Sequence, residues 1–216
     1  MKILNLYAGI GGNRKLWEDV EVTAVEYNAE IAAIYQEYFP DDTVIVADAH
    51  EYLLAHYKEF DFIWASPPCQ THSRVRVSQR TTKGFIPKYP DAKLWQEIIF
   101  LKHHAVCPYV IENVIPYYDV FLQPAAIHDR HLFWSNLPLI LSDVKDECDT
   151  PIDYVVGSIG RYGFDINSKS IKARKQQVMR NLVNPEIGLA ILDQVRGIKR
   201  KSKLKQISIL DVADGA

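Results

Sequence analysis

Lys2-Ile3-Leu4-Asn5-Leu6-Tyr7-Ala8-Gly9-Ile10-Gly11-Gly12 is the stretch whose reading decides the fold. A short β-type run, Lys2 to Tyr7, breaks into a cluster of glycines, and a helical stretch through Trp17 is expected next. Glycine admits backbone conformations and close approaches that other residues refuse, and a following helix would present free N–H groups. Such a turn suits a ligand carrying a nucleotide, although a plain tight connection between strand and helix has the same appearance.

Outward from this unit the alternation continues. Strands are predicted over Val20–Val25, Thr43–Val46, Phe60–Ala65, Tyr109–Ile111 and Leu132–Trp134. Helices are predicted over Ala29–Tyr38, Glu51–Tyr57, Leu94–Val106 and Pro185–Val195. This order implies an α/β fold, a mostly parallel sheet with helices on both faces. From about Leu141 to Arg180 the periodicity weakens and glycines and basic residues accumulate, as in a small loop-rich lobe. The expected organisation is a core over 1–140, a variable segment over 141–179, a return to the core over 180–196 and a basic tail over 197–216. That tail is expected to be partly disordered except for Ile207 to Val212.

Ligands of open α/β sheets bind at the C-terminal ends of the strands, so the residues there carry the chemistry. Glu26 ends the second strand, where a carboxylate accepts both hydroxyls of a ribose, and Tyr27 beside it offers a face to an adenine. Asp48 follows the third strand, placed for an adenine amino group; each acid alone would also serve as a helix cap. The glycine spacing argues against a dinucleotide, because Arg14 occupies the last position of G-x-G-x-x-G. A methyl donor with an adenosine moiety fits better.

The fourth strand runs into Ser66-Pro67-Pro68-Cys69-Gln70. Two prolines make a rigid, extended turn that would hold a thiol at the sheet edge. A lone cysteine is most often a small buried hydrophobe, but Gln70-Thr71-His72-Ser73-Arg74 follows, and such neighbours predict an accessible thiol of lowered pKa. Glu112, in Ile111-Glu112-Asn113-Val114, is expected just after a strand at the same edge, although a surface or capping acid would fit there too. A thiolate beside a carboxyl group suits nucleophilic attack on a ring with proton donation to it. Between Gln70 and Lys93 lie Arg74, Arg76, Arg80, Lys83, Lys88 and Lys93 against Asp91 alone, a loop suited to phosphate.

Three blocks resemble the signature blocks of the C5-cytosine-specific DNA methyltransferases, in that family's order: Leu4 to Gly12, Ser66 to Gln70, and Ile111 to Val114. Asp91-Ala92-Lys93-Leu94-Trp95 and Arg180-Asn181-Leu182-Val183-Asn184-Pro185 are similar to two further blocks. The resemblance implies a Rossmann-like methyltransferase fold and S-adenosyl-L-methionine as donor. It implies cofactor contacts from Tyr7, Ala8, Gly9, Ile10, Gly11, Gly12, Glu26, Tyr27, Asp48, Ala49, Pro68, Leu94, Asn181 and Val183. Cys69, Glu112 and Arg130 become the catalytic residues, and Gln70, Ser73, Arg74, Arg76, Arg80 and Lys83 the nucleic-acid contacts. Two departures stand out. The family's Arg-x-Arg pair is replaced by His128-Asp129-Arg130-His131, and the last block begins with Arg180 where the family has glycine. The implied reaction is methylation of C5 of a cytosine flipped out of double-stranded DNA, with target reading by the short segment 141–179. Rivals are a cytosine-C5 methyltransferase acting on RNA, as in the family's tRNA-methylating branch, and a non-catalytic nucleic-acid binder that kept the fold. Transfer of a group other than methyl is a further possibility.

Bulk composition is compatible with all of these. The 216 residues, 48% hydrophobic and 24% charged, are those of an ordinary globular chain without a membrane-spanning run or a signal peptide. Cys69, Cys107 and Cys148 form no C-x-x-C pair, so neither a disulfide framework nor a metal site is expected, and a reducing cytoplasm is. The net charge of −2 hides an asymmetry: beyond residue 150 there are 12 Lys and Arg against 6 Asp and Glu. A monomer of phage or restriction–modification type completes the expectation.

Overall fold

The computed structural model describes residues 1–142, 144, 161–166 and 175–198. Most of the expected recognition segment and of the basic tail, including Cys148 and Ile207 to Val212, lies outside the described residues.

Among the described residues seven strands form one sheet: β1 (Lys2–Leu6), β2 (Glu21–Glu26), β3 (Thr43–Val46), β4 (Phe62–Ala65), β5 (Tyr109–Val114), β6 (Ala126–His128) and β7 (His131–Ser135). Their order is β3-β2-β1-β4-β5-β7-β6. β1 lies between β2 and β4 and pairs in parallel with both, while β7 runs antiparallel to β5 and β6. The strand order reverses at β1 and β4, where chains leave toward opposite faces and a crevice opens at the strand ends.

Side chains alternate across the sheet with the period of two that strands impose. Leu4, Leu6, Ile63, Ala65 and Ile111 face α2 (Ala49–His56) and α4 (Lys93–His104). Ile3, Phe62, Trp64, Val110 and Phe133 face α6 (Pro185–Val195), through Ile187, Ala190 and Ile191. On that second side Ala24 also meets Tyr35 of α1 (Ala29–Tyr38). Both faces are therefore covered, which makes this the Rossmann-like α/β fold anticipated above. Asn28, Asp48 and Asn184 cap α1, α2 and α6 by accepting backbone N–H bonds in the first turn, and Pro185 starts α6 where its missing N–H costs nothing.

Three expectations are corrected. The stretch from Asn13 to Trp17 is a chain of turns, not a helix: Lys15 N donates to Gly12 O and Trp17 N to Arg14 O. Packing explains it, because a Cβ on Gly188 of α6 would stand 2.1 Å from Asn13 O, and one on Gly12 would stand 2.6 Å from Val183 O. Backbone that close leaves no room for a cylinder about 10 Å across. Glu112 lies inside β5, which runs on to Val114, because β7 supplies pairing partners as far as His131. The loop after Cys69 also contains a short helix, α3 (Arg74–Ser78), capped by Ser73, and α5 (Lys175–Arg180) precedes the last block.

Candidate active site

Three stretches carry side chains to one place at the strand ends. β4 delivers Cys69 through Pro67-Pro68, whose path is fastened when Asn113 Nδ2 donates to Pro67 O at 2.8 Å. The Cys69 carbonyl then accepts from the backbone N–H groups of His72 and Ser73, both at 3.0 Å, closing a tight turn. β5 delivers Glu112, 8% exposed, and β7 places His131 with Nε2 3.6 Å from Glu112 Oε1. The β6–β7 turn carries Arg130 after Asp129, which sits at φ +51, and Arg130 O accepts from Ile115 N at 2.9 Å.

Cys69 is partly buried and in no disulfide. Burial first, and the Glu112 charge after it, raise its pKa to about 11, against a smaller lowering by Arg130. This overturns the expectation of a lowered pKa. The cations adjacent in sequence do not serve the thiol: Arg76 donates to Ile86 O and lies 5.0 Å over the Phe85 ring, and Arg74 reaches Pro116 O at 3.5 Å. The charges that act come from β5 and the β6–β7 turn.

At the other half of the edge, Tyr7 and Gly9 adopt φ of +56 and +57. Space around a Cβ on Gly9 is open to 4 Å, so this glycine borders room for a ligand. Gly11 and Gly12 do not, since Cβ atoms there would collide with the Phe39 and Tyr35 rings and with Val183. Ile10 and Leu94 are likewise core side chains, 1% and 3% exposed, which leaves only their backbone for a cofactor. Glu26 is held by Gly9 N at 3.0 Å and Asn28 N at 2.9 Å, and Tyr27 stands exposed beside it. Asp48 Oδ1 caps α2, whereas Oδ2 pairs with Lys93 Nζ at 3.0 Å, so the carboxylate pKa falls below its ordinary value, chiefly through that hydrogen bond. Ala49 and Ala8 are buried, Pro68 and Asn181 exposed, and Val183 lies against Gly12.

Among the expected nucleic-acid contacts, Gln70, Arg80 and Lys83 are exposed. Ser73 Oγ accepts from Val75 N at the start of α3, and Arg76 folds back onto its own loop.

The reading of residues missed a buried triad. Glu97 of α4, fully buried, accepts from the Tyr7 hydroxyl and meets His50 Nδ1 at 2.9 Å, while its Oε2 has no partner. Burial raises its pKa. One carboxyl group thus joins the glycine turn, α2 and α4. The signal was present: Glu97 falls on the same helical stripe as Leu94, Ile98 and Leu101, where a charged residue is out of place. His131 beside Glu112 and the fully buried His72, with Nδ1 2.6 Å from the Tyr118 hydroxyl, were missed as well. Among the described residues no three His, Cys, Asp or Glu side chains are grouped to hold a metal, and no helix is long and apolar enough to cross a membrane.

Residues 1–114, which hold Cys69 and Glu112, match the C-5 cytosine-specific DNA methylase family. The chain belongs to this family. It is similar to solved structures of DNMT2 from Spodoptera frugiperda (28% identity, TM-score 0.36, covering 52% of this chain and 35% of that one). It is also similar to the Entamoeba histolytica methyltransferase EhMeth (16%, 0.36, 53% and 38%). A third likeness is to a putative DNA modification methyltransferase encoded within an Escherichia coli prophage (19%, 0.35, 55% and 33%). The chain thus spans little more than a third of the length of these structures. No curated protein matches it.

Proposed function

We propose that this chain methylates C5 of cytosine in DNA, with Cys69 as the nucleophile. The observation that carries this reading is the convergence of Glu112 and Arg130 on Cys69, each within charge range of the thiol, after a strand paired with the one that leads to the open space at Gly9.

S-adenosylmethionine, the donor implied by membership of the family, would supply an electrophilic methyl group, its sulfur keeping the electron pair of the broken S–CH3 bond. Gly9 backbone, Glu26, Tyr27 and Asp48 would hold it, Gly9 through the open space beside it, Glu26 by accepting from the ribose, and Tyr27 and Asp48 at the adenine. Cytosine C5 is too weak a nucleophile by itself. The Cys69 thiolate adds to C6, the ring electrons move to C5, and C5 takes the methyl group. Loss of the C5 proton to a base then expels the thiolate, breaking the S–C6 bond. Glu112 hydrogen-bonds N3 and the exocyclic amine, accepting from the amine and donating a proton to N3, which offsets the negative charge that builds on the ring. A cytosine amine that donates to Glu112 takes up part of the carboxylate's charge, and so removes one cause of the raised thiol pKa. The nucleophile is therefore generated where the substrate is seated. Arg130, whose charge already favours the thiolate, reinforces this. The base must leave the duplex to reach Cys69, at a cost of a few kcal/mol. Target reading is assigned to 141–179.

The test is transfer of labelled methyl to duplex DNA and to tRNA, by the wild type and by Cys69→Ser. Labelled DNA at C5, lost in the variant, is the expected result; label in tRNA alone would overturn the DNA assignment. DNA bearing 5-fluorocytosine should trap an adduct at Cys69, and a non-catalytic binder would trap none.

A further inference from the structure

A groove of about 700 Å³ lies beside the loop that carries Cys69, outside the residues that the reaction uses. One wall is α3 and the turn after it, with Arg74 and Arg80; the other is the chain leaving β5, with Tyr117, Tyr118 and Asp119. The walls are joined at their base, where Ser73 pairs with Pro116 and Tyr117 N donates to His72 O at 3.1 Å. The second wall continues as a row of rings: Tyr117 meets Tyr118 edge-on at 5.1 Å, and Tyr118 stacks with Phe121 at 5.9 Å. Phe121 is 73% exposed, with part of its ring packed on the buried Trp95 at 4.9 Å.

The two walls ask for different things. Arg74 and Arg80 are exposed, and Arg80 is engaged by no acceptor among the described residues, so this side suits phosphate. The opposite wall offers ring faces and one carboxylate. Asp119 repels phosphate and accepts from amino groups, which suits a base. Base–aromatic stacking requires a π-face that a paired, stacked neighbour does not expose. A volume of this size holds a ligand such as a single nucleotide.

We propose that this groove binds an unpaired DNA nucleotide flanking the target cytosine, its phosphate on the arginine wall and its base on Tyr117 and Phe121. The proposal rests on the function proposed above and sharpens it: the substrate is DNA opened beyond the one reacting base. Arg74 begins within a few residues of Cys69, so the occupant is a near neighbour of the target on the same strand.

The experiment measures binding of a labelled single-stranded DNA with one cytosine by anisotropy across a salt series, in the presence of S-adenosylhomocysteine. The same sequence is measured as a fully paired duplex and as single-stranded RNA. Tyr117→Ala and Phe121→Ala are each expected to weaken single-strand binding roughly ten-fold, about 1.4 kcal/mol of stacking, with the salt slope unchanged. Arg80→Ala is expected to lower that slope by about 0.7. All three residues are exposed, and thermal melting confirms that the variants fold. Aromatic variants within two-fold of wild type would overturn the proposal, as would tighter binding of RNA than of DNA. If they are neutral while 5-fluorocytosine still traps Cys69, the groove is refuted and the enzyme stands. If the wild type forms no adduct, the functional reading itself falls.

Discussion

The raised pKa of Cys69 makes a prediction that alkylation reads directly. With a pKa of about 11, roughly one thiol in a thousand is ionised at about pH 8, against about a quarter for a free cysteine near 8.5. Thiolates of higher pKa are intrinsically more nucleophilic, with a Brønsted slope near 0.45, which returns about ten-fold. The free protein should therefore be alkylated at Cys69 about twenty-fold more slowly than a free thiol, at a rate still rising beyond about pH 10. Iodoacetamide labelling followed by peptide mass spectrometry isolates this residue from Cys107 and Cys148. Glu112→Gln removes a cause of the rise, so the midpoint of the profile must fall and alkylation at neutral pH must quicken, even as methyl transfer is lost. Arg130→Ala removes the opposing charge, so the midpoint must rise. A wild-type midpoint near 8.5, or variants that move it in the same direction, would refute this electrostatic account.

Other perturbations test the frame around the site. Gly188→Ala drives a Cβ to 2.1 Å from Asn13 O, backbone against backbone, and should cost about 1–3 kcal/mol in denaturant unfolding. Arg14→Met leaves Asp42, whose side chain is 3% exposed, without its partner at 2.8 Å; calorimetry should show a loss of about 3 kcal/mol. Glu97 has a folded pKa above its ordinary value, so its contribution is present at low pH and lost as pH rises through that raised value. Glu97→Gln should therefore gain in Tm on the wild type between about pH 5 and about pH 8, and a constant difference would contradict it.

Where local chemistry decides, the sequence was legible. Asn28 and the breaker Pro40 delimit α1 at Ala29–Tyr38 as read, and Asn184-Pro185 starts α6 where expected. The order of strands and helices sufficed for a parallel sheet because crossovers permit little else. The Asn13–Trp17 stretch misled because its conformation is set by Gly12 and Gly188 meeting backbone from the far end of the chain, and no local pattern reports that contact. The glycine cluster misled in the same way. Three neighbouring glycines suggested one ligand cradle, yet two exist to let protein approach protein, and Gly9 alone borders open space. The thiol shows the limit most sharply. Its polar and basic successors suggested a lowered pKa, but a chain that turns after Cys69 sends those charges to the groove and to Phe85. What the sulfur experiences is burial, Glu112 from β5 and Arg130 from the β6–β7 turn. On the function proposed here, a thiol kept protonated in the free chain and released by the seated base would react only where the base is. The motif singled out that cysteine; what its thiol experiences depends on which strands the sheet places side by side.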